Sequence, residues 1–531
     1  MIHTSMKKQY FNRYSIGTLT LVVLMMSCVS DLDVKPIDPF VTTADKVYTT
    51  KDSYKEGLAK LYATFALTGQ RGPAGNQDVG GVDEGFSCFV RSLWYMQELT
   101  TDEAVWSYPN DANGTIFNLH YNTWLPSDGI PEALYARIAN VAALSNEFIR
   151  VTTGKTDDPD FKNFQAEARF LRALAYFYGM DLYGRLPFLT EKDQPGSFFP
   201  PMILRPALFD YIEKELKAIK ADMGAPRFEY GRADKAACAM LLAKLYLNAE
   251  VYIGTPKYTE ALTELNEIIA AGYTLSPRYA NLFRADNDKN NTEIIFAQAF
   301  DGAKSQAYAM TQVMINGNAG NGGWSGLRTT SAFVGKFPNL AEARAIFADK
   351  NYNEDPITTR SLEIDNVAKS GEGWGIYKFR NITSTGVDSP NSSTGFPDTD
   401  YPMFRLADAY LMYAEAVLRG GAGGTRANAL SYINAIRSRS GDVIAGNAPG
   451  VITDSQMTLD FILDERAREL YWEGHRRMDL IRFGKFTGGS YLWPWKGGIK
   501  NGTAIDDKYK IFPIPSSDLG TNPNLKQSDG Y

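Results

Sequence analysis

The feature that most constrains the fold of this chain is a helical segment that occurs twice. Residues 243–250 read Ala-Lys-Leu-Tyr-Leu-Asn-Ala-Glu, and residues 407–415 read Ala-Asp-Ala-Tyr-Leu-Met-Tyr-Ala-Glu. After a glycine-containing break, each is followed by a stretch with apolar residues three and four apart, over about 257–271 and 425–438. This spacing predicts a helix with one buried stripe. Helices that cannot bury their stripes alone stack on neighbouring helices, so the repeat predicts a mostly α scaffold of helix pairs.

A third copy of the pattern lies earlier in the chain. Within residues 168–183, Ala173 and Phe177 are four positions apart, which is the small-then-large pairing of a tetratricopeptide hairpin. The three copies predict tetratricopeptide-like helix pairs over about 132–272 and 401–440, with few short strands.

Long stretches rich in Gly, Asn, Ser and Pro separate these helical segments. Loops of such length are usually functional or disordered. We therefore expect the ligand-binding loops at about 69–130 and 301–330, with a further long loop at 380–400. No low-complexity linker divides residues 28–531, which predicts a single unit.

The first 27 residues have the pattern of an export signal. Three basic residues precede an apolar run from Ile16 to Met26, which is too short to span a bilayer. Cleavage before Cys28 would leave its thiol at the new N-terminus, ready for lipid attachment such as palmitate. We predict a lipoprotein signal peptide at 1–27 and lipid attachment at Cys28. A plain secretory signal with an incidental cysteine is the alternative.

Composition argues against nucleic-acid binding and against most metal proteins. The net charge is −6, from 55 basic and 61 acidic residues, whereas nucleic-acid binders need clustered Lys and Arg. Three His and three Cys are too few for most multi-ligand zinc or haem sites. Residues 286–290 begin like a calcium loop, but Asn291 replaces the turn glycine and Ala297 the terminal glutamate. We expect no cofactor, with an irregular structural calcium site as the alternative.

Motifs of catalysis are also missing. The sequence has no G-x-S-x-G elbow, H-E-x-x-H helix, Walker loop or Rossmann glycine run. His475 lies at a charged helix end, where Asp464/Arg468 and Glu473/Arg477 are four residues apart and favour a structural ion-pair network. The sequence therefore predicts a protein that is not an enzyme.

Cys88 and Cys238 are the two cysteines that follow Cys28. They could pair in an oxidising compartment, but the sequence does not place their Cα atoms within bridging distance. Two buried free thiols are the favoured alternative.

Further motifs are spread over almost the whole chain after residue 28. They are Ala-Glu-Ala-Arg-Phe-Leu-Arg at 166–172, Asp-Leu-Tyr-Gly-Arg-Leu-Pro at 181–187, Gly-Arg-Ala-Asp at 231–234, Arg-Leu-Ala-Asp-Ala-Tyr at 405–410, Glu-Arg-Ala-Arg-Glu-Leu at 465–470 and Pro-Ile-Pro at 513–515. Together they resemble the SusD/RagB family, the surface glycan-capture lipoproteins of Bacteroidetes. The resemblance implies a family region at about 330–531 and a place on the surface of the cell outer membrane. The polar, acidic segment 29–33 resembles the export tag of such lipoproteins.

One run resembles the sugar site of the family's starch-binding member, with equal spacing. It comprises Asp83-Glu-Gly, Arg91, Glu-Leu-Thr-Thr-Asp-Glu at 98–103, and Trp106. By this match, Asp83 and Arg91 would contact sugar hydroxyls and Trp106 would form one wall of an aromatic arc. Asp111 takes the position of a sugar-contacting Asn in that member.

The same match places the other two rings of the arc at Tyr308 and Trp324, across a loop shorter than in the family member. A flat ring covers the C–H face of a sugar, while carboxylates accept and arginine donates hydrogen bonds to its hydroxyls. Rings set in an arc favour a curved chain such as an α-1,4-glucan. We interpret five other aromatic residues as packing residues: Trp94, Tyr95, Tyr108, Trp493 and Trp495.

The resemblance implies a protein that captures starch or another oligosaccharide and delivers it, uncleaved, to a SusC-like TonB-dependent outer-membrane transporter. One alternative keeps the scaffold and changes the ligand to levan, another polysaccharide or a glycopeptide. Another alternative is a structural or partner-binding helical-repeat protein.

Overall fold

The computed structural model divides into two units, residues 1–54 and 55–531. The predicted signal peptide 1–27 and Cys28 lie outside the described residues. In the first unit, the rings of Tyr48 and Tyr54 are 4.9 Å apart. The structure describes residues 44–70, 72–193, 198–289, 291–306, 308, 313–317, 323–348, 361–439 and 448–531.

Helices carry most of the regular structure, which confirms the prediction of a mostly α protein. The helices are α1 (Ala44–Val47), α2 (Lys51–Ala63), α3 (Phe89–Glu98), α4 (Thr115–Tyr121), α5 (Gly129–Thr152), α6 (Pro159–Tyr183), α7 (Arg205–Ile219), α8 (Lys235–Leu247), α9 (Ala249–Ile253), α10 (Tyr258–Ala270), α11 (Ser331–Val334), α12 (Leu406–Leu418), α13 (Arg426–Arg437), α14 (Leu459–Leu470), α15 (Arg476–Arg482) and α16 (Ser516–Thr521).

The repeated segment forms stacked helix pairs, as predicted. Helix α8 packs on α10, α10 on α12, and α12 on α13. The second helices expected at about 257–271 and 425–438 are α10 and α13. Leu265 and Ile268 of α10 and Ile433 of α13 are fully buried on the apolar stripes that the spacing predicts.

The third copy is α6, which packs on α5 before it and α7 after it. Capping residues set both ends of α6. The Asp158 carboxylate accepts a hydrogen bond from the N–H of Asp160, Pro159 occupies the first turn, and Gly184 ends the helix with a left-handed φ of 69°. These signals fix the length of the longest helix in the described part of the chain.

The strands of the described residues pair only in twos and antiparallel, which confirms the prediction of few short strands. They are β1 (Val105–Trp106), β2 (Arg185–Pro187), β3 (Met202–Leu204), β4 (Ile294–Gln298), β5 (Leu327–Arg328), β6 (Phe347–Ala348), β7 (Gly375–Ile376) and β8 (Tyr401–Arg405). The pairs are β1 with β5, β2 with β3, β4 with β8, and β6 with β7.

The predicted loop at 69–130 needs a correction, because helices α3 and α4 interrupt it. All ten residues of α3 are buried, and α4 buries Ile116 and Leu119. Packing against α5 stabilises these short helices, although the Gly- and Asn-rich flanks dominate the composition. None of the helices in the described ranges is long and apolar enough to cross a membrane.

Cys88 and Cys238 are free, buried thiols. The Cys88 thiol donates to the carbonyl of Phe65 at 3.3 Å, and the Cys238 thiol to that of Leu216 at 3.4 Å. Burial raises the pKa of both thiols, which leaves them unreactive.

Buried charges surround α14. Arg405 donates to the carboxylates of Glu293 and Glu473, at 2.8 and 2.7 Å. It also pairs at 2.7 Å with Glu469, which accepts a further bond from Arg439. All of these side chains are almost completely buried, and each carboxylate has more than one cationic partner.

The predicted ion-pair network is present, but its predicted partners are wrong. Asp464 pairs with Lys336 at 2.9 Å rather than with Arg468, and Arg477 donates to a backbone carbonyl rather than to Glu473. The cause is tertiary packing, which brings Lys336 to Asp464 and the carbonyl of Tyr509 to Arg477 from other parts of the chain. His475 lies in the same region, and burial and the charge of Lys244 lower its pKa to about 3.

Candidate functional site

Arg91 lies at the centre of the candidate site. This residue of α3 is only 6% exposed. Its guanidinium donates to the carbonyls of Gly85 and Tyr308 and to the hydroxyl of Tyr95. Its Cζ lies 4.9 Å from the centroid of the Trp324 ring. One side chain therefore joins the segment 85–95 to the loop that carries Tyr308 and Trp324.

Asp83 lies on the exposed side of the same cluster. Its Oδ1 accepts a hydrogen bond of 2.8 Å from the N–H of Gly85. Gly85 also approaches Tyr308, since a Cβ on Gly85 would lie 4.0 Å from Tyr308 Cδ2. The neighbouring Glu84 is tied elsewhere, to the N–H of Gly75 at 2.7 Å. Asp83 is thus the carboxylate of this loop that remains open to solvent beside the rings.

Asp111 lies behind Trp106, at the start of a short 3-10 turn (Asp111–Gly114). Burial raises the pKa of Asp111, opposed by the Trp106 indole and the charge of Arg91. The Trp106 N–H is buried and makes no hydrogen bond of normal geometry within the described residues, and the Asp111 carboxylate is close enough to interact with it. Asp111 is therefore brought together with Arg91 and Trp106, as the sequence match predicts.

Three half-buried rings form a row beside Arg91. The centroids of Tyr308 and Trp324 are 5.2 Å apart, with 42° between the ring planes. On its other side, Tyr308 lies 6.1 Å from Phe396, with 40° between the planes. We call Trp324, Tyr308 and Phe396 the aromatic row. Its members come from two different loops, so tertiary structure alone brings them together.

Trp106 is near the aromatic row but its ring is enclosed. It pairs with Leu327 in the β1–β5 ladder and is only 3% exposed. A Cβ on Gly326 would lie 2.8 Å from Trp106 Cη2, and Gly326 has a φ of +113°. Glycine is required there for both reasons. Trp106 therefore supports the site from within, and the structure shows no open face of its ring.

Comparisons with known proteins place this architecture in a family. The chain is 36% identical to the starch-binding protein SusD of Bacteroides thetaiotaomicron, over 99% of both chains. This chain belongs to the SusD family. The SusD family model itself matches residues 358–531, within the region of about 330–531 expected from the motifs.

Solved structures agree on the SusD fold. A SusD superfamily protein from Bacteroides thetaiotaomicron has a TM-score of 0.70 at 19% identity, covering 90% of this chain and 99% of that one. A laminarin-binding SusD-like protein has a TM-score of 0.66 at 21% identity, covering 91% of this chain and 100% of that one. The fold predicted from the helical repeat is therefore confirmed.

Sequence reasoning missed Phe396, which the structure places in the candidate site beside Tyr308. The signal available was its position in the long loop 380–400, but no spacing rule connects that loop to Tyr308. Two packing assignments also need refinement. Tyr95 is buried yet its hydroxyl orients Arg91, and Tyr108 is 37% exposed with its ring 5.8 Å from Trp106.

The remaining packing assignments hold within the described residues. Trp94 and Trp493 are buried. Trp495 is half-buried and stacks on Tyr121, with 6.4 Å between centroids and 11° between planes. These rings lie outside the cluster around Arg91.

The side chains of the run at 98–103 are buried and bind other parts of the chain. Glu98 accepts from the N–H of Gly474, and Glu103 from that of Trp472 at 3.0 Å. The two carboxyls face each other, so burial and mutual repulsion raise the pKa of Glu98 far above its usual range. Burial also raises the pKa of Glu103, to about 7, against the opposing effects of Glu98 and Arg476.

Asp102, between these two glutamates, behaves in the opposite way. Arg476 binds both of its oxygens, at 2.7 and 2.8 Å. This pairing overcomes burial and holds the pKa of Asp102 well below its usual range. The motif that precedes Trp106 therefore anchors β1 to the segment 472–476.

The Asp286 and Asn287 side chains of the calcium-like segment form hydrogen bonds to other loops of the chain. Asp286 accepts hydrogen bonds from the N–H and the hydroxyl of Ser384, both at 2.7 Å. Asn287 binds the carbonyls of Leu282 and Asp400. No group of three His, Cys, Asp or Glu is placed to hold a metal ion among the described residues.

Proposed function

We propose that this SusD-family protein captures an α-glucan such as starch and passes it, uncleaved, to a SusC-like TonB-dependent transporter. Lipid on Cys28 would hold it on the surface of the outer membrane. The observation that carries the proposal is the aromatic row, with Asp83 and Arg91 at its edge. A relative that is 36% identical over 99% of both chains is a starch-binding protein, which supports α-glucan as the ligand.

The polar groups suit the hydroxyls of a stacked sugar. Asp83 is exposed and can accept hydrogen bonds through its carboxylate. Arg91 has five N–H groups, four of which are used by Gly85, Tyr308 and Tyr95. One N–H is left for a sugar hydroxyl. Arg91 would therefore act mainly by holding the rings in place, with a single contact to the ligand.

The other two predicted site residues have indirect roles in this proposal. Trp106 is enclosed, so stacking on its ring would require the segment around Gly326 to move. Asp111 would orient Trp106 and balance the charge of Arg91. Stacking is worth ~1–3 kcal/mol per ring on the scale of nucleobases, so we expect affinities from about millimolar to tens of micromolar. Such weak binding suits release to a transporter.

Affinity electrophoresis tests the proposal. Protein 29–531 is run through gels with and without amylopectin, beside a Tyr308→Ala/Trp324→Ala double variant. Trp495→Ala is the matched control, because Trp495 is also half-buried and also stacks on a tyrosine. We expect amylopectin to retard the wild type and the control but not the double variant. Retardation that survives in the double variant would exclude this site.

The same gels address the alternatives. A laminarin-binding protein shares the fold, so a different glycan on the same scaffold is the second candidate function. Gels with levan, laminarin and other β-glucans distinguish it from α-glucan binding. Release of reducing sugar on prolonged incubation would contradict the non-catalytic role. A structural helical-repeat protein would be retarded by none of these polysaccharides.

A further inference from the structure

We propose that Phe396 is a third stacking ring of the glycan site. This inference rests on the proposed function and adds a residue to it.

The spacing of the rings supports a role for all three. The centroid steps from Trp324 to Tyr308 and from Tyr308 to Phe396 are 5.2 and 6.1 Å. These steps are comparable with the spacing of consecutive sugar rings in a glycan. Successive sugars can therefore meet successive aromatic faces, and Phe396 lengthens the stacking surface by one ring.

The angles between the rings suit the curved chain that the proposed function already assumes. Adjacent planes in the aromatic row differ by 42° and by 40°. A flat ribbon-like chain cannot lie parallel to three such faces at once. A chain that turns from one sugar to the next, as a helical α-glucan does, can stack on each ring in sequence. Phe396 thus adds a third face on which such a chain can stack.

Phe396 is held in place before any ligand binds. Asp398 accepts hydrogen bonds from the N–H of Gly302 and from the side chain of Asn391, both at 2.8 Å. The first bond joins the loop that carries Phe396 to the loop that leads to Tyr308, and the second braces the Phe396 loop internally. A Cβ on Gly302 would lie 2.3 Å from the carbonyl oxygen of Phe396, so only glycine allows the two loops to approach so closely. Pre-organised rings lose little conformational entropy on binding.

A test follows from the length of the row. Calorimetry would compare maltotriose with maltoheptaose on the wild type and on Phe396→Ala, Phe396→Leu and Phe396→Trp. We expect Phe396→Ala to weaken maltoheptaose binding about tenfold, from the free energy of stacking on one ring. Maltotriose, which can use the other two rings, should lose clearly less. Phe396→Trp should bind like the wild type, and Phe396→Leu, without a flat face, should be weakened.

Phe188→Ala is the matched control. Phe188 is also half-buried and contacts two aromatic rings, those of Tyr211 at 4.8 Å and Tyr176 at 5.5 Å. It lies outside the site and should leave binding unchanged. Maltoheptaose affinity in Phe396→Ala equal to that of the wild type, or an equal loss in Phe188→Ala, would overturn the inference alone. A wild type that binds no malto-oligosaccharide would overturn the proposed function as well.

Discussion

The charges around α14 and the rings of the aromatic row are both dense clusters, but only the first is closed. Arg405 donates to Glu293, Glu469 and Glu473, and all four side chains are almost completely buried. In the row, Tyr308 and Trp324 are half-buried and keep part of their surface open. The closed cluster satisfies its own groups and contributes to stability, whereas the open one leaves surface that a ligand can cover.

The largest effect that this comparison predicts is the destabilisation caused by removing the Arg405 side chain. Arg405→Ala would leave buried carboxylates without their principal cation. Breaking a buried pair from one side costs about 3–5 kcal/mol. We expect a free energy of unfolding lower by that amount in urea titrations.

The exposed pair of Arg426 and Asp454, at 2.9 Å, supplies the control. Ion pairs in solvent contribute about 1 kcal/mol or less, so Arg426→Ala should leave the free energy of unfolding almost unchanged. Equal destabilisation by the two variants would contradict the view that the cluster around α14 is closed and supports the fold.

Trp106 is buried and its ring contacts that of Tyr95 in the candidate site, so its removal should affect both stability and binding. Truncation of a buried tryptophan typically costs about 3 kcal/mol or more. Trp106→Ala should therefore lower the melting temperature and weaken glycan binding together, whereas Trp324→Ala should weaken binding with a much smaller change in melting temperature. Calorimetric scans of both variants, with amylopectin gels run beside them, check this difference. Binding loss in Trp106→Ala without destabilisation would indicate direct stacking on that ring.

The same two regions show what a sequence can predict. The helices α10 and α13 follow from apolar spacing, because each stripe is a local pattern of residues three and four apart. The partners of Asp464 and Arg477 do not follow, because Lys336 and the carbonyl of Tyr509 come from distant parts of the chain. Phe396 was missed for the same reason. Its contact with Tyr308 is made by the Asp398–Gly302 bond between two loops, which no local pattern reveals.

A prediction of intermediate size concerns the pH dependence of stability. The folded-state pKa of Glu103 is raised to about 7. The contribution of Glu103 to the free energy of unfolding is therefore complete below the ordinary carboxyl pKa and is lost as the pH rises through about 7. Glu103→Gln does not titrate and can keep the hydrogen bond from Trp472. Between pH 5 and pH 9, the free energy of unfolding of the variant should rise relative to that of the wild type by about 1–3 kcal/mol. Urea titrations across this range measure the gain.

Asp102 provides a control of opposite sign. Arg476 lowers the pKa of Asp102. The contribution of Asp102 to the free energy of unfolding is therefore present above the ordinary carboxyl pKa and is lost as the pH falls. Asp102→Asn should therefore destabilise the protein at pH 7 and lose this effect in acid. A Glu103→Gln variant with the pH profile of the wild type would contradict the raised pKa of Glu103.

The smallest predicted effect tests whether the open region depends on the position of its rings as well as their presence. Gly302→Ala removes no ring and no polar group, but its Cβ would collide with the carbonyl of Phe396 and push the two loops apart. We expect maltoheptaose binding to weaken about threefold to tenfold, at most about 1.4 kcal/mol, with a melting temperature close to that of the wild type.

Gly420→Ala is the control, since nothing lies within 4 Å of its Cβ position and its φ of +87° imposes backbone strain far from the site. Because strain alone would destabilise Gly420→Ala without weakening binding, the pair separates loop geometry from stability. Unchanged affinity in Gly302→Ala would mean that the loops adjust freely, and that the row acquires its geometry only when a ligand binds.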